Sequence, residues 1–483
     1  MSNIKKNFIY NFMYQILTMI LPIITAPYIA RVLGTEGIGI YSYTYSIVYY
    51  FMLFAMLGLN NYGNRQIAKV RKNKKELSKT FSSIYFMQLM ISSIMIIIYI
   101  IYLCIFVKEN VNIAIIQIIY LISTAFDINW FFFGLEKFKL TVTRNTIIKI
   151  ITVGCIFIFV KERADLYLYT IIMAVGTLLS QLLLWPFVNK FTKLTKVKFK
   201  DIVRHIRPCL ILFIPVIAVS LYKIMDKVMI GNMSSMEQVG LYENSEKIIN
   251  IITALITALG TVMLPKISNL VANGELEKGK KYIEKSMEFT IISSSALSFG
   301  LIAVAPTFAP LFFGEEFSSA GTIIEYLSVT TIFISIANVI RTQYLIPHEK
   351  DRLYIISVII GAVINIILNI LLIPKYQAIG ATIGTIFAEF GVMLYQIIAV
   401  RKEIEIFKYL RNNFKYLVLG VVMFLVVVPL KNIIYSDWRL IIVQVITGAV
   451  IYLTGFTIIQ MIELKEYNIV ELFKKVLSKY NIN

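Results

Sequence analysis

Long apolar runs recur along almost the whole chain, and they restrict its possible folds more than any other feature. Each run is about 20 residues long, the length at which a helix crosses a hydrocarbon core about 30 Å thick. Inside lipid a backbone must satisfy its own hydrogen bonds, and a helix does so within a single segment. The sequence therefore predicts an all-α integral membrane protein with about fourteen transmembrane helices. Their expected positions are 8–30, 38–61, 81–106, 111–134, 144–161, 166–188, 209–230, 238–264, 286–307, 319–346, 352–373, 377–400, 415–434 and 439–461.

Basic residues concentrate in alternate loops, and this pattern predicts the orientation of the chain. Of the 47 Lys and Arg residues, 35 lie in the two termini and in every second loop, whereas seven lie in the other loops. Cytoplasmic loops of membrane proteins carry such an excess of cations. We therefore expect both termini in the cytoplasm. The net charge of +19 has this cause, so no nucleic-acid partner is expected.

The two halves of the sequence resemble each other, which predicts an internal repeat. The matched positions are Pro22 with Pro215, Gly34 with Gly231, Gly39–Tyr41 with Gly240–Tyr242, Arg144 with Arg352, Gly176 with Gly384, and Gln181 with Glu389. Each copy contains six spans, so both copies enter the membrane from the same side. Parallel repeats of this kind are typical of transporters whose halves rock around a substrate site. The expected divisions are an N-lobe (1–208), a C-lobe (209–414), a helix pair (415–462) and a cytoplasmic tail (463–483).

Catalytic machinery is not expected in this chain. The predicted external loops are about a dozen residues or shorter, too short to house an enzymatic domain. A GxxxxGK pattern at Gly274–Lys280 is followed by Lys281, where a nucleotide-binding loop needs Ser or Thr. Cysteine and histidine residues lack metal-ligand spacing. The sequence thus predicts no nucleotide, metal or other cofactor.

The C-terminal tail has the pattern of an amphipathic helix. Its apolar positions recur at helical spacing beside several lysines, as in helices that lie on a membrane surface. These apolar positions are Ile469, Phe473, Val476 and Tyr480. We expect the tail to lie on the cytoplasmic face, with a solvated tail as the alternative.

Ionisable side chains in or beside the predicted spans are the functional candidates, since such groups are costly in lipid and usually face a cavity or a partner. A cavity lined by these cations would suit an anion, and guanidinium groups suit phosphate because they offer several donors in one plane. The cationic candidates for substrate binding are Arg144, Lys149, Lys223, Lys227, Lys247, Arg341 and Arg352. The acidic candidates for ion coupling or ion pairing are Asp127, Asp226 and Glu389.

Each candidate also has a purely structural interpretation. Asp226 and Lys227 belong to predicted span 7, and span 8 carries a cluster of acidic and basic residues with the same spacing. The two clusters would form an ion-paired hairpin. Asp127 and Lys149 lie at comparable depth in adjacent spans and would form a structural ion pair. The arginines near span ends would extend to the interface. Glu389 lies near the middle of span 12, and is the better candidate for proton or sodium coupling.

Three segments carry a resemblance to a known family. APYIARVLGTEGIGIYSYTYSIVYYFMLFAMLGLNNYGNRQIAK, in spans 1 and 2, closely resembles the opening of the Wzx-type repeat-unit flippases. FDINWFFFGLEKFKLTVTRNTIIKI is similar to a second segment of that family, and IMDKVMIGNMSSMEQVGLYENSEKI to a third. The resemblance extends over essentially the whole chain, including the arrangement of twelve helices plus two.

This resemblance implies a member of the multidrug/oligosaccharidyl-lipid/polysaccharide (MOP) superfamily, with a MATE-like architecture, in a bacterial plasma membrane. Such proteins move undecaprenyl-diphosphate-linked oligosaccharides from the cytoplasmic to the outer leaflet by alternating access through a cationic cavity. A polysaccharide polymerase is then a candidate partner. The alternatives are a lipid II flippase, a cation-coupled multidrug exporter and, from a different class, a membrane-embedded polymerase or glycosyltransferase.

The resulting hypothesis assigns a path to the diphosphate. It would enter from the cytoplasm at Arg144, Lys149, Arg341 and Arg352, while the polyprenyl tail stays in lipid. The headgroup would then reach the outer side near the charged residues of predicted spans 7 and 8.

Overall fold

The computed structural model describes residues 3–434 and 437–465 together with Lys475, and describes side chains from residue 20 onward except those of residues 215 and 222. Within these described parts the chain forms α-helices and no strand. The helices are α1 (Asn3–Met56), α2 (Leu59–Val70), α3 (Lys74–Phe106), α4 (Val111–Ile116), α5 (Ile118–Ala125), α6 (Asn129–Gly134), α7 (Phe138–Phe159), α8 (Leu166–Leu182), α9 (Trp185–Val188), α10 (Phe199–Val203), α11 (Ile206–Met233), α12 (Met236–Ala272), α13 (Leu276–Phe313), α14 (Ala320–Ser328), α15 (Thr330–Ile340), α16 (Asp351–Val400), α17 (Ile406–Val427) and α18 (Trp438–Leu464).

The helices account for the predicted spans. Eleven helical segments of the described chain are long and apolar enough to cross a membrane. Two of them hold two predicted spans each, since Ile20–Val70 covers spans 1 and 2 and Asp351–Val400 covers spans 11 and 12. Helix α11 coincides with predicted span 7. The prediction of an all-α membrane protein with about fourteen spans is confirmed.

Single non-helical residues separate the paired spans within both long helices. In α1 the break is at Gly34, which has φ 70° and ψ −178°. Glycine adopts a positive φ without the steric cost that a Cβ brings. In α16 the break is at Gln377, with φ 53° and ψ −131°, three residues after Pro374. These tight breaks explain why two of the predicted loops are so short.

Spans 4 and 10 are interrupted. Span 4 consists of α4, α5 and α6, with non-helical residues at 126–128. Span 10 consists of α14 and α15, and ends in a π-helical turn at Arg341–Leu345. Single π turns within helices frequently occur at functional sites. The interruption of span 4 contains Asp127 and the π turn of span 10 begins with Arg341, and both are predicted site residues.

The chain divides into two compact units, and each has its own apolar core. Unit 1 is Met1–Glu243 and unit 2 is Asn244–Asn483. The core of unit 1 includes Phe81, Trp130 and Phe131, and the core of unit 2 includes Met287, Ile340 and Tyr416. Compactness does not locate a repeat, so the predicted boundaries at 208 and 414 stay predictions. The apolar positions of the predicted amphipathic tail, Ile469, Phe473, Val476 and Tyr480, lie outside the described residues.

A contact between two repeat-related glycines joins α1 to α12 within unit 1. A Cβ atom added to Gly39 would overlap the carbonyl oxygen of Met236, and one added to Gly240 would overlap the carbonyl oxygen of Thr35. Neither position has room for a side chain, so the two helices touch backbone to backbone. This contact brings residues that follow Gly39 next to the charged residues at the start of α12.

Candidate functional site

Arg144 is the centre of a buried polar network in unit 1. It lies near the start of α7, and its side chain is only 7% exposed. Its Nη1 donates to the carbonyl oxygen of Ser180 and, over 3.3 Å, to Oε1 of Gln181. Its Nη2 donates to Oδ1 of Asn129 over 3.0 Å and to Oδ1 of Asn145 over 2.6 Å. The guanidinium therefore binds groups from α6, α7 and α8 together.

Asp127 lies beside this network in the interruption of span 4. Its Oδ1 accepts hydrogen bonds from the backbone nitrogen of Asn129 over 3.0 Å and from Nδ2 of the same residue over 2.7 Å. Because Asn129 also accepts from Arg144, the amide links the carboxylate to the guanidinium. Lys149 is exposed on α7. A direct role of Asp127 in ion coupling stays a prediction.

Predicted spans 7 and 8 correspond to α11 and α12 in the structure, and charged residues of these two helices form an ion pair. Nζ of Lys227 lies 2.9 Å from Oε2 of Glu243, and the two side chains are 14% and 18% exposed. The Ser42 hydroxyl of α1 donates to the same carboxylate oxygen over 2.8 Å. Asp226 is 2% exposed and accepts from the Tyr242 hydroxyl over 2.6 Å. The structure thus contains the ion pairing of the structural interpretation.

Lys223, on the same helix as Lys227, is in a different environment. It is exposed and makes no hydrogen bond or ion pair with any described residue. Lys247, farther along α12, is half-buried and donates to Oδ1 of Asn244 over 3.2 Å. Of these two lysines, Lys223 is the one whose charge is fully available to a ligand.

Arg341 and Arg352 of unit 2 make fewer hydrogen bonds with the described residues than Arg144 does. Arg341, at the start of the π turn, is half-buried with its Nη1 3.4 Å from the Tyr354 hydroxyl. Arg352 is exposed and makes no hydrogen bond or ion pair with any described residue. Glu389 is 6% exposed in α16. The repeat therefore places Arg144 and Arg352 in opposite environments.

Five tyrosines from three spans of unit 1 form a further group that the sequence analysis missed. This tyrosine cluster consists of Tyr41, Tyr45 and Tyr49 from α1, Tyr120 from α5 and Tyr169 from α8. The ring centroids of Tyr41 and Tyr169 lie 4.9 Å apart, and those of Tyr45 and Tyr120 lie 5.0 Å apart, both edge to face. The Tyr41 and Tyr120 hydroxyls lie 2.7 Å apart. The spacing of four residues in α1 was the available signal, since it places three tyrosines on one helical face.

The polar groups of the described residues differ in whether they lie between helices or are exposed. Among the described residues no group of three or more His, Cys, Asp or Glu side chains is arranged to hold a metal ion. The buried carboxylates and amides are instead arranged between helices. The chemistry available to a ligand therefore consists of exposed cations and tyrosine rings.

Sequence comparison relates the chain to proteins of surface polysaccharide synthesis. The profile of the family described as "Polysaccharide biosynthesis protein" matches residues 4–271, more than half of the chain. A putative O-antigen transporter of Shigella dysenteriae is 25% identical over 404 residues, which cover 82% of this chain and 100% of that protein. A probable low-salt glycan biosynthesis flippase of Haloferax volcanii is 24% identical over 51% of each chain.

Structural comparison identifies the same architecture in solved transporters. The lipid II flippase MurJ in its inward closed conformation matches with a TM-score of 0.76 and 18% identity, over 95% of this chain and 99% of that one. An inward-facing multidrug resistance MATE family transporter of the MOP superfamily matches with a TM-score of 0.55 and 15% identity, over 80% and 99%. At these identities the likeness establishes the fold.

Proposed function

Because the chain belongs to the polysaccharide biosynthesis protein family, we propose that it is a flippase for a lipid-linked oligosaccharide. The substrate would be an undecaprenyl diphosphate carrying a sugar repeat unit, moved from the cytoplasmic to the outer leaflet for surface polysaccharide assembly. The observation that carries the proposal is the match to an O-antigen transporter along that relative's entire length. A partial match could reflect one shared segment, whereas an end-to-end match includes every span of the relative.

The chemistry of the exposed cations supports an anionic substrate. Lys149, Lys223 and Arg352 are exposed although they lie in or next to helices that cross the membrane, and Arg341 has a long contact with the Tyr354 hydroxyl and lies over the ring of the same residue. When a diphosphate binds, its oxygens would replace the water that hydrates these cations and would form charge-assisted hydrogen bonds with them. We therefore retain these four as the candidates for headgroup binding.

Arg144, Lys227 and Lys247 have a weaker claim to the diphosphate. All three donate to protein oxygens, and a diphosphate would have to displace those acceptors before it gained these donors. The proposal therefore assigns Arg144 and Lys227 to positioning of helices, and gives the first contact with substrate to the exposed cations.

An inside-negative membrane potential would favour outward movement of the diphosphate. The gain is about 2.3 kcal/mol per elementary charge per 100 mV. Alternating access of the headgroup would then need no nucleotide. A cation that moved with the substrate, bound at Glu389 or Asp127, would cancel part of this gain. Transport rates measured at imposed potentials of both signs separate these two forms of the mechanism.

A proteoliposome assay tests the function and the cation assignment together. The probe is a fluorescent polyprenyl diphosphate that carries a short oligosaccharide, and the readout is its appearance in the opposite leaflet. We expect Lys149→Gln combined with Arg341→Gln to slow translocation at least tenfold, because each lost charge-assisted bond is worth about 1.5–3 kcal/mol. The matched control, Lys281→Gln combined with Arg401→Gln, removes one lysine that is exposed near the start of α13 and one arginine that is exposed in the turn after α16.

Three outcomes separate the alternatives. No translocation by the wild-type protein would contradict the flippase function. Translocation by both double variants at the wild-type rate would contradict the cation assignment and leave the function standing. Faster movement of lipid II than of the oligosaccharide lipid would favour a lipid II flippase.

A further inference from the structure

Three hydroxyl groups of the tyrosine cluster have no hydrogen-bond partner among the described residues. Tyr45, Tyr49 and Tyr169 are partly exposed, and none of their hydroxyls makes a hydrogen bond with a described residue. Elsewhere in unit 1 tyrosine hydroxyls bind backbone carbonyls, as Tyr28 does over 2.6 Å and Tyr99 over 3.0 Å. An unpaired hydroxyl shielded from bulk water costs free energy unless a ligand or water pairs with it. These three hydroxyls are therefore available to a ligand.

The charge around the cluster selects the kind of ligand. Electrostatic interactions link Tyr45 and Tyr49 to Lys227, and Tyr45 and Tyr169 to Glu243. The positive charge of Lys227 is neutralised by the ion pair with Glu243, and a second carboxylate, Asp226, directly precedes Lys227 in the chain. Lys227, the cation that interacts with the cluster, is therefore already paired with a carboxylate and is a poor site for a diphosphate. Nor do the surroundings of the cluster suit a polyprenyl tail, because an apolar chain would bury hydroxyls and an ion pair without compensation.

A neutral sugar matches both properties of the cluster. A pyranose ring has an apolar face of C–H groups that packs on aromatic rings, and an edge of hydroxyls that donate and accept hydrogen bonds. We propose that the tyrosine cluster, with Ser42 and the Lys227–Glu243 pair at its edge, binds the first sugars of the lipid-linked headgroup. This inference rests on the proposed function. By the predicted topology the cluster lies in the outer half of the membrane, where translocated sugars would arrive.

The positions of the rings divide the cluster into a support and a binding surface. Tyr41 and Tyr120 bind each other through their hydroxyls, and Gln117 donates to the backbone oxygen of Tyr41 over 3.2 Å. These two tyrosines hold α1 against α5. Tyr45 packs against Tyr120, and Tyr169 packs against Tyr41, so each binding ring rests on a supporting ring. Substitutions at Tyr45 and Tyr169 can therefore test binding without removal of the support.

A binding experiment with two probes tests this inference. The probes are a polyprenyl diphosphate that carries one N-acetylhexosamine and the same lipid without sugar, each titrated into the purified full-length protein in nanodiscs. We expect Tyr45→Ala and Tyr169→Ala each to weaken binding of the sugar-bearing lipid about tenfold, through loss of a stacking ring and a hydroxyl. Binding of the sugar-free lipid should stay within twofold of wild type.

Two further variants separate binding from folding. Tyr167→Ala removes an exposed tyrosine from the same helix as Tyr169, outside the cluster, and should leave both affinities unchanged. Tyr45→Phe keeps the ring and removes only the hydroxyl, so it should weaken binding of the sugar-bearing lipid by a few-fold and keep the wild-type melting temperature.

The outcomes distinguish this inference from the proposed function. If the wild-type protein binds neither lipid, both ideas fail. If the wild-type protein binds the sugar-bearing lipid and Tyr45→Ala, Tyr169→Ala and Tyr45→Phe all bind it with wild-type affinity, the tyrosine assignment is overturned and the flippase proposal stands. Equal weakening of both lipids by the alanine variants would also overturn it, because a sugar subsite discriminates between the probes.

Discussion

The Arg144 network and the tyrosine cluster are both polar regions of unit 1, and they differ in how completely the protein satisfies them. Arg144 binds four protein acceptors from three helices. In the tyrosine cluster, the hydroxyls of Tyr45, Tyr49 and Tyr169 have no acceptor in the part of the chain that the structure describes. Four hydrogen bonds from one guanidinium hold three helices together, whereas hydroxyl groups that lack a partner among the described residues are available to a ligand. Ionisable character alone therefore does not identify a binding residue in this fold.

The two repeat-related arginines show the same difference between units. Arg144 is 7% exposed, whereas Arg352 is exposed and makes no hydrogen bond with a described residue. Equivalent positions in the sequence thus serve two tasks, support in unit 1 and availability in unit 2. The predictions below test this division of tasks, in order of decreasing expected effect.

Gly39→Ala should produce the largest loss of stability. The new Cβ would overlap the carbonyl oxygen of Met236, a backbone atom that cannot rotate away. Overpacking of a tight contact typically costs about 1–3 kcal/mol, and a backbone clash lies at or above the upper end. Gly154→Ala is the control, because no atom lies within 4 Å of its added Cβ. Melting of both variants in the same detergent measures the difference, and equal melting temperatures would disprove the close contact.

Arg144→Ala should destabilise the protein much more than Arg352→Ala. Removal of Arg144 leaves the partly buried acceptors on Ser180 and Asn129 without their donor, at a cost of about 3 kcal/mol in total. Arg352 makes no hydrogen bond or ion pair with the described residues, so its removal should change stability by less than about 0.5 kcal/mol. Arg352→Ala should instead weaken binding of a polyprenyl diphosphate several-fold. The reverse result, with Arg352 as the stabilising residue, would invert the division of tasks.

His205 is a second buried polar group of unit 1 whose polar atoms have protein partners. Its environment predicts that stability depends on pH. The ring is 4% exposed, with Nδ1 2.6 Å from the Tyr62 hydroxyl and Nε2 2.9 Å from the Ser83 hydroxyl. Burial lowers the pKa of the ring from 6.5 to about 4. The unfolded chain therefore takes up a proton that the folded protein excludes, and stability falls as the pH decreases from about 6.5 toward 4.

Melting temperatures measured between pH 7.5 and 4.5 test this effect. Wild type should lose stability across the interval, on top of whatever its other groups contribute. His205→Gln can still bond both hydroxyls and has no charge to gain, so its slope should be shallower. Identical slopes for the two proteins would show that the histidine does not couple to folding.

Glu403→Gln should have the smallest effect, because the Glu403 carboxylate in unit 2 is open to water. The Lys350 ammonium and the Tyr344 hydroxyl both donate to this carboxylate, whose side chain is 40% exposed. The hydrogen bond from Lys350 holds the pKa of Glu403 below its usual range, so this contribution is complete near neutral pH and is lost as the pH falls through that lowered pKa. Exposed ion pairs contribute about 0–1 kcal/mol. A loss as large as that for Arg144→Ala would contradict the role of burial in the comparison.

Some of the candidate site followed from the sequence. Helical spacing placed Asp226 and Lys227 together on α11. Pairing with the charged residues of the next predicted span, which is α12 in the structure, was one of the two interpretations. Spacing also aligned Tyr41, Tyr45 and Tyr49, although no function was assigned to them. The partners of these residues come from distant parts of the chain, such as Tyr120 and Tyr169. No local pattern encodes which faces of which helices meet.

The sequence by itself determined the number of spans, their apolar composition and the charge of the loops. These are local properties, because a run of about 20 apolar residues enters lipid as a helix whatever its neighbours are. The tertiary structure decided which polar side chains are satisfied and which remain available. Arg144 and Arg352 occupy matched positions, yet only packing against α6 and α8 provides Arg144 with acceptors. Hydrogen-bond geometry acts over about 3 Å, so only the folded chain can specify it.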